Sequence, residues 1–176
     1  MDIRVEKTKR TIINTFLELR SKKPLEKITI KELCEKASIN KSTFYCHYAD
    51  IYDLADTLET DVVNSLISNF SHPESIFSDP KHFVEELFLS YRSHISLLKI
   101  LFSGNQSEQL ITKLNTGLKH MVFEVYPEYE KDPVASTTLS YAIYGAFYAF
   151  AESEGFEDMK VIETIATITE KITKLL

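Results

Sequence analysis

Apolar residues recur along this chain at helical spacing, with polar residues between them. In the first such segment the apolar positions fall on one face of a helix, and they are Ile12, Ile13, Phe16, Leu17 and Leu19. No stretch alternates between apolar and polar residues in the way that a half-buried strand does. The pattern predicts helices over 7–22, 29–37, 41–48, 50–66, 81–102, 107–125, 132–153 and 158–176, with a Ser- and Pro-rich linker at 70–80.

Capping residues mark three of these helix starts. Thr29 and Glu32 form the S/T-x-x-E pattern of a capping box, in which each side chain bonds a backbone N–H of the first turn. Asn40 precedes the next predicted helix as an N-cap. Asp50, with Asp53 three residues later, is a weaker signal of the same kind. We therefore expect two short helices joined by a turn, followed by a longer helix.

Composition favours an all-α fold. The chain has 176 residues, of which 44% are hydrophobic and 26% charged, so it can bury a substantial core. It has 4 Gly and 5 Pro, whereas β-sandwiches and barrels need many of both for their turns. The apolar runs are too short to span a bilayer and no apolar signal segment precedes the first helix, so we expect a cytoplasmic protein.

Charge is divided unevenly between the two ends of the chain. Residues 1–48 carry eleven Lys and Arg against six Asp and Glu, a net charge of +5. Residues 49–176 have a net charge of −11, which gives −6 for the whole chain. A basic end on an acidic chain indicates that this end meets a polyanion while the rest faces solvent.

Residues 28–48 have the arrangement of a helix-turn-helix, whose second helix enters the major groove of DNA. Phe44 and Tyr48 can face inward, towards Leu33, Ala37 and Ile39. The outward side of the second helix then carries hydroxyls, an imidazole and an ammonium group, which suit base edges and phosphate oxygens. The predicted DNA contacts are Lys7, Arg10, Thr29, Lys31, Lys41, Ser42, Thr43, Tyr45, Cys46 and His47.

The segment 28–54 resembles the DNA-binding domain of the tetracycline-repressor (TetR) family of bacterial transcription regulators. The matching features are Ile28-Thr29 before the first short helix, Ala37 at its end, the run Thr43-Phe44-Tyr45-Cys46-His47-Tyr48, and a helix start at Asp50. The stretch 91–106 resembles a subgroup of small Gram-positive members. The resemblance implies a three-helix helix-turn-helix domain at 1–50 and a helical effector-binding and dimerisation domain at 51–176. It also implies a palindromic DNA operator as partner.

Two positions depart from the family's pattern. Many members have Gly at the turn position held here by Ser38, because a left-handed backbone is easiest for Gly. Many also have Lys at the position of Ile51, where it reaches a phosphate. That contact is missing here or is supplied elsewhere.

The last two predicted helices carry the pattern of a subunit interface. The final helix has apolar residues at alternating spacings of four and three, a seam like that of a coiled coil, and the helix before it is apolar on nearly all sides. Two copies would form a four-helix interface with two-fold symmetry, and the alternative is a monomer with one deeply buried helix. The predicted interface residues are Tyr141, Tyr144, Tyr148, Val161, Ile165, Ile168 and Ile172, and Leu175 continues the seam.

We expect a homodimeric DNA-binding repressor that binds its operator through the helix 41–48 and can be released by a small-molecule or protein effector. The candidate effector contacts are polar tips on apolar helices, namely Tyr91, Arg92, His94, His120 and Tyr144. The alternative is a helical dimeric adaptor that acts through a protein partner without reading DNA. The chain lacks a phosphate-binding loop, a nucleophile motif and metal-ligand spacing, and its two cysteines are too few for a zinc site. We therefore expect no enzyme activity, no metal and no cofactor.

Overall fold

The computed structural model describes residues 3–68, 74–151 and 158–174 of the chain. Within these ranges the regular structure is helical throughout and contains no strand, so the protein is all-α, as predicted. The chain forms two compact units. The first comprises Met1–Val62 and Ser96–Ser107, and the second comprises Val63–Ile95 and Glu108–Leu176. The functional division at residue 50 stays a prediction.

Eleven α-helices and two short 3₁₀ helices account for the regular structure of the described ranges. The α-helices are α1 (Ile3–Arg20), α2 (Ile30–Ala37), α3 (Lys41–Tyr45), α4 (Ile51–Ile67), α5 (Ser75–Ser78), α6 (Pro80–Ser93), α7 (Ile95–Leu101), α8 (Ser107–Val125), α9 (Pro127–Lys131), α10 (Pro133–Ala151) and α11 (Asp158–Thr173). The 3₁₀ helices are Leu25–Lys27 and Gly104–Gln106.

The first unit is built on apolar faces that the sequence pattern predicts. Helix α1 packs against α2, and α2 packs against α3. Ile12, Phe16, Leu33, Phe44 and Leu54 are completely buried in this unit. Burying such side chains stabilises the fold by about 1.5–3 kcal/mol each.

Ion pairs connect α1 to α2 at the surface of this core. Glu18 of α1 accepts hydrogen bonds from Lys22 (2.8 Å) and from Lys36 of α2 (2.6 Å). These two lysines lower the pKa of the Glu18 carboxyl to about 2. Lys23, after α1, also pairs with Glu32 of α2. The Glu18–Lys36 and Lys23–Glu32 pairs both reach α2, which carries the turn to α3.

A buried arginine holds the segment Ser96–Ser107 in the first unit. The Arg20 guanidinium donates to the backbone carbonyls of Leu101 (3.2 Å), Ser103 (2.8 Å) and Lys23 (3.4 Å). Burial lowers the pKa of Arg20, and the carboxylates of Glu26 and Glu59 oppose that shift. The arginine thus bonds the carbonyl of Leu101, the last residue of α7, and that of Ser103 just after it, at a helix end whose carbonyls have no partner within the helix.

The second unit is a bundle around α11. This helix packs against α6, α10 and α5, while α9 packs against α10. Its buried core comprises Ile76, Phe83, Val84, Phe88, Leu118, Met121, Val122, Leu139, Ile143, Ile162, Ile165 and Ala166. The prediction of α-helical elements for this half of the chain is confirmed for the described residues.

The single helix predicted at 81–102 is wrong, because the chain breaks between α6 and α7 at His94. The Ser93 hydroxyl donates to the Ser90 carbonyl oxygen (2.7 Å), and His94 Nδ1 lies 2.9 Å from the same oxygen. The His94 backbone N–H bonds Tyr91 instead (3.1 Å). The Ser93 and His94 side chains thus compete with the backbone for the Ser90 acceptor at the break.

Three other boundaries differ from the prediction. Helix α3 ends at Tyr45 rather than at residue 48. The short helix α5 lies within the predicted linker 70–80, of which residues 70–73 are outside the described ranges. Helix α9 had no predicted counterpart because its five residues bury none of their side chains and so show no apolar period.

Candidate nucleic-acid interface

Helices α2 and α3 each begin at a side-chain cap. Thr29 Oγ accepts from the Glu32 backbone N–H (3.2 Å), which confirms the predicted cap of α2. Asn40 Oδ1 accepts from the Thr43 backbone N–H (2.7 Å), which confirms the predicted cap of α3. Both helices therefore have a defined N-terminus, and the Asn40 cap also fixes the end of the turn between them.

Ser38 adopts the left-handed backbone conformation in this turn, with φ 55° and ψ 42°. The Ile39 backbone N–H then bonds the Cys34 carbonyl (3.0 Å), which closes the C-terminus of α2. A non-glycine residue in this conformation costs about 1–2 kcal/mol. The geometry expected for the turn is present despite the absence of Gly.

Helix α3 separates a buried face from an exposed one. Phe44 is completely buried and Tyr48, after the helix, is also buried, as predicted. Lys41, Ser42 and Cys46 are exposed. The Tyr45 side chain is 55% exposed, and its ring meets that of Phe44 edge to face at 5.8 Å.

The hydroxyls of this exposed face are partly used by the cap. Ser42 Oγ and Thr43 Oγ1 both donate to Asn40 Oδ1, at 2.6 and 2.8 Å. Their oxygens remain acceptors, so they suit a donor on a base edge better than a phosphate oxygen. Lys41 and Tyr45 are then the better donors for phosphate.

The start of α4 is fixed by a reciprocal pair of carboxylates. Asp50 Oδ1 accepts from the Asp53 backbone N–H (2.8 Å), and Asp53 Oδ2 accepts from the Ala49 backbone N–H (2.8 Å). The weaker start signal is thus confirmed as a capping arrangement. Ile51 is buried at this point, so the position at which TetR members carry Lys serves the core here.

The other predicted DNA contacts lie on α1, at the cap of α2 and on α2 itself, and near the end of α3. Lys7, Arg10, Thr29 and Lys31 are exposed, and Lys31 lies 3.9 Å from Glu35. His47 is half-buried, with its ring 6.3 Å from that of Tyr48. Both cysteines are free: Cys46 is exposed, whereas burial raises the pKa of the Cys34 thiol.

The predicted interface residues of α10 and α11 fall into two groups. Tyr141 and Tyr148 are 72% and 68% exposed, Tyr144 is exposed, and Ile168 is 52% exposed. Ile165 is buried, whereas Val161 and Ile172 are half-buried. Leu175 lies outside the described residues. Two of the exposed members, Tyr141 and Ile168, line a groove of about 210 Å³ between α10 and α11, along which Gly145 and Ala149 also lie.

Of the candidate effector contacts, Tyr91 lines a cavity in the second unit. Arg92, His120 and Tyr144 are exposed and are not among the residues that line it. His94 is half-buried at the break between α6 and α7. Sequence reasoning missed this cavity's apolar walls and the buried Arg20, because both depend on residues that are distant along the chain.

Comparison with known proteins finds a distant sequence relative that is named as a bacterial transcription regulator. The chain is 27% identical over 133 residues to the "Uncharacterized HTH-type transcriptional regulator YxbF" of Bacillus subtilis (strain 168). The aligned region is 74% of this chain and 32% of that protein, so the chain spans about a third of its relative's length. No protein-family profile matches the chain, and no solved structure matches it at a significant level. Among the described residues, no helix is long and apolar enough to cross a membrane.

Proposed function

We propose that this protein is a sequence-specific DNA-binding transcription regulator that reads the major groove with α3. The observation that carries the proposal is the division of α3 into a buried aromatic face and an exposed face with Lys41, Ser42 and Tyr45. A helix held by its own cap and core presents these groups without further ordering. The basic N-terminal segment and the relative named as a helix-turn-helix regulator support the same function.

The proposal includes a TetR-type homodimer that represses transcription from a palindromic operator. Tyr141, Tyr144 and Tyr148 form one exposed face of α10, and a patch of exposed apolar and aromatic residues is a common mark of an interaction site. Tyr141 and Ile168 project from the same surface, and a groove lies at Gly145, where an added Cβ would meet nothing within 4 Å. In a two-fold contact the same patch meets its own copy, so its projecting side chains must fit its own groove.

Fluorescence anisotropy with DNA from upstream of the protein's own gene tests this function, with a scrambled duplex as the comparison. We expect tight binding that weakens with salt and prefers the native duplex by roughly a thousandfold. Weak and equal binding to both duplexes, repeated with genomic fragments selected by the protein, would support an adaptor without DNA reading. We propose no enzymatic role.

Variants of α3 test whether its exposed face contacts DNA. Lys41→Ala and Tyr45→Ala should each weaken operator binding by about 10-fold while the thermal unfolding curve hardly moves. Lys160→Ala removes the same charge from an exposed position on α11 and should leave operator affinity unchanged. Tyr45→Phe removes the hydroxyl and keeps the ring, so its operator affinity shows which of the two contributes to DNA binding. A loss of stability equal to the loss of binding would instead assign Lys41 and Tyr45 to the fold.

A further inference from the structure

The side-chain oxygen of Asn40 collects hydrogen bonds from the two residues that carry hydroxyls on α3. Asn40 Oδ1 lies 2.7 Å from the Thr43 backbone nitrogen, 2.8 Å from Thr43 Oγ1 and 2.6 Å from Ser42 Oγ. A backbone N–H can only donate, so the Asn40 atom that faces it is the amide oxygen and not the amide nitrogen. That oxygen carries no hydrogen, and both hydroxyls must therefore donate to it.

This arrangement changes what the two side chains offer to DNA. A free Ser or Thr hydroxyl rotates and can serve as donor or acceptor, so it fits any base edge. Ser42 is exposed and Thr43 is half-buried, and with their protons turned towards Asn40 each presents oxygen lone pairs alone. Phosphate oxygens are acceptors as well. Guanine and thymine also expose acceptors in the major groove, so none of these groups can bond the two hydroxyls as they are held.

We propose that Ser42 and Thr43 select bases that carry an exocyclic amino group in the major groove, which are adenine and cytosine. N6 of adenine and N4 of cytosine are the hydrogen-bond donors on that side of the base pairs. The inference rests on the proposed function, because it names the base groups that the exposed face of α3 contacts. Asn40 is then a positioning residue, since it acts on the DNA through the direction of the two hydroxyls.

The selectivity arises from the cost of turning a hydroxyl around. To donate to O6 of guanine or O4 of thymine, Ser42 or Thr43 must give up its bond to Asn40 Oδ1. One neutral hydrogen bond changes an affinity by about 2- to 10-fold, so each hydroxyl should favour an amino group over a carbonyl by that factor. Lys41 has donors alone and complements them, because it can bond the phosphates and carbonyls that the hydroxyls cannot.

Chemically modified DNA tests this selectivity on the intact wild-type protein. The probe is the tightest duplex that the protein selects from a random double-stranded library, and each of its adenines and cytosines is replaced in turn. N6-methyladenine and N4-methylcytosine keep the Watson–Crick pair, but the methyl group takes the place of the amino hydrogen that faces the major groove. We expect such a replacement at the contacted base to weaken binding in anisotropy by about 3- to 10-fold. The analogue that acts identifies the base as adenine or cytosine.

Two further analogues separate the loss of a donor from the effect of added bulk. 2-Aminopurine pairs with thymine and lacks the major-groove amino group, so it should weaken binding at the same adenine without adding an atom to that groove. 5-Methylcytosine adds a methyl group and keeps both N4 hydrogens, so at the same cytosine it should weaken binding less than N4-methylcytosine does. Because these measurements use the wild type, they do not depend on the folding of a variant.

A substitution at Asn40 tests its positioning role. Asn40 has φ −87° and ψ 162°, and Gly is tolerated at an N-cap with a small loss of stability. Asn40→Gly frees both hydroxyls, so a repeated selection should accept guanine or thymine where the wild type selects adenine or cytosine. Asp79→Gly is the matched control: it removes the cap of α6, which accepts from the His82 backbone N–H (3.2 Å), and should leave the selected bases unchanged.

Four results would overturn the inference. Amino methylation could leave the affinity unchanged at every position, or it could weaken binding where 2-aminopurine does not, which would be an effect of bulk. Asn40→Gly could select the same bases as the wild type, with a loss of stability in circular dichroism alone. In these three cases DNA binding is still sequence-specific and the proposed function stands. A wild type that selects no duplex would overturn the proposed function and this inference with it.

Discussion

The hydroxyl of Tyr48, three residues after the end of α3, is buried without a hydrogen-bond partner among the described residues. Its ring packs on Phe44 at 5.9 Å, so the side chain is held by its aromatic body and not by its polar tip. Burial raises the pKa of Tyr48, and the nearby carboxylates of Asp61 and Asp53 raise it further. The side chain therefore favours its neutral form, and its hydroxyl adds no hydrogen bond that stabilises the fold.

Removing that hydroxyl should stabilise the protein. We expect Tyr48→Phe to raise the free energy of unfolding by about 1 kcal/mol in urea titrations, because an unpaired buried donor is deleted while the ring is kept. Since the folded-state pKa is raised, the wild type loses stability as pH rises above about 10, where the unfolded tyrosine ionises first. That alkaline loss should be smaller in Tyr48→Phe.

Tyr45→Phe is the matched control, since Tyr45 neighbours the same ring but is exposed. It should leave the unfolding free energy unchanged. A destabilised Tyr48→Phe would mean that the hydroxyl has a partner in solution that compensates its burial.

Arg20 is a buried charge that bonds three backbone carbonyls of the first unit. We expect Arg20→Met to lower the unfolding free energy by about 3 kcal/mol or more, because the carbonyls of Leu101 and Ser103 lose their donor. Glu59, which is 2% exposed, would also lose a compensating positive charge. Chemical denaturation followed by circular dichroism measures this change.

The same substitution at Arg10, on the exposed part of α1, is the control and should change stability by less than about 0.5 kcal/mol. If Arg20→Met and Arg10→Met were equally stable, the arginine's three carbonyl contacts would carry no net stabilisation. Segment Ser96–Ser107 would then need another anchor.

At the scale of single elements, substitutions at the two positions with positive φ measure the free-energy cost of the left-handed backbone conformation. Ser38→Gly should raise the unfolding free energy by about 1 kcal/mol, because Gly adopts φ 55° without the Cβ clash. Gly104 has φ +62° and open space around the position of an added Cβ, so Gly104→Ala measures the same conformational cost with opposite sign. Urea titration of both variants checks the pair.

Destabilisation by Ser38→Gly as well as by Gly104→Ala would contradict the expected cost of the left-handed conformation at Ser38. In that case the Ser38 side chain would make a contact that outweighs its backbone cost. Operator affinity in Ser38→Gly should remain that of the wild type, since the turn already has the conformation that Gly prefers.

The sequence predicts elements well where a local signal defines them. Thr29, Asn40 and Asp50 each cap the helix that follows, and the apolar spacing of α1 identifies its buried face. The break at His94 was missed because the apolar spacing continues through it and no Gly or Pro lies between Lys81 and Phe102. The role of Arg20 was missed because two of its three acceptors lie 81 and 83 residues away along the chain.

At the scale of the whole molecule, the α10–α11 surface decides whether two copies associate. We expect Ile168→Glu to convert a dimer to a monomer in sedimentation velocity, because a partner's groove would bury an unpaired carboxylate. Operator affinity should fall with it, since each monomer then binds a single half-site.

Leu89→Glu is the matched control, because Leu89 is an equally large exposed apolar residue on α6, away from the groove. It should leave the sedimentation coefficient unchanged, which separates loss of this surface from a general effect of added charge.

If Ile168→Glu remains dimeric, the tyrosine face of α10 is free for another protein. A monomeric wild type that still discriminates its operator would instead mean that one copy of α3 suffices for recognition. The two variants and the wild type, measured by sedimentation and by anisotropy in one buffer, therefore test the dimer and the DNA reading independently.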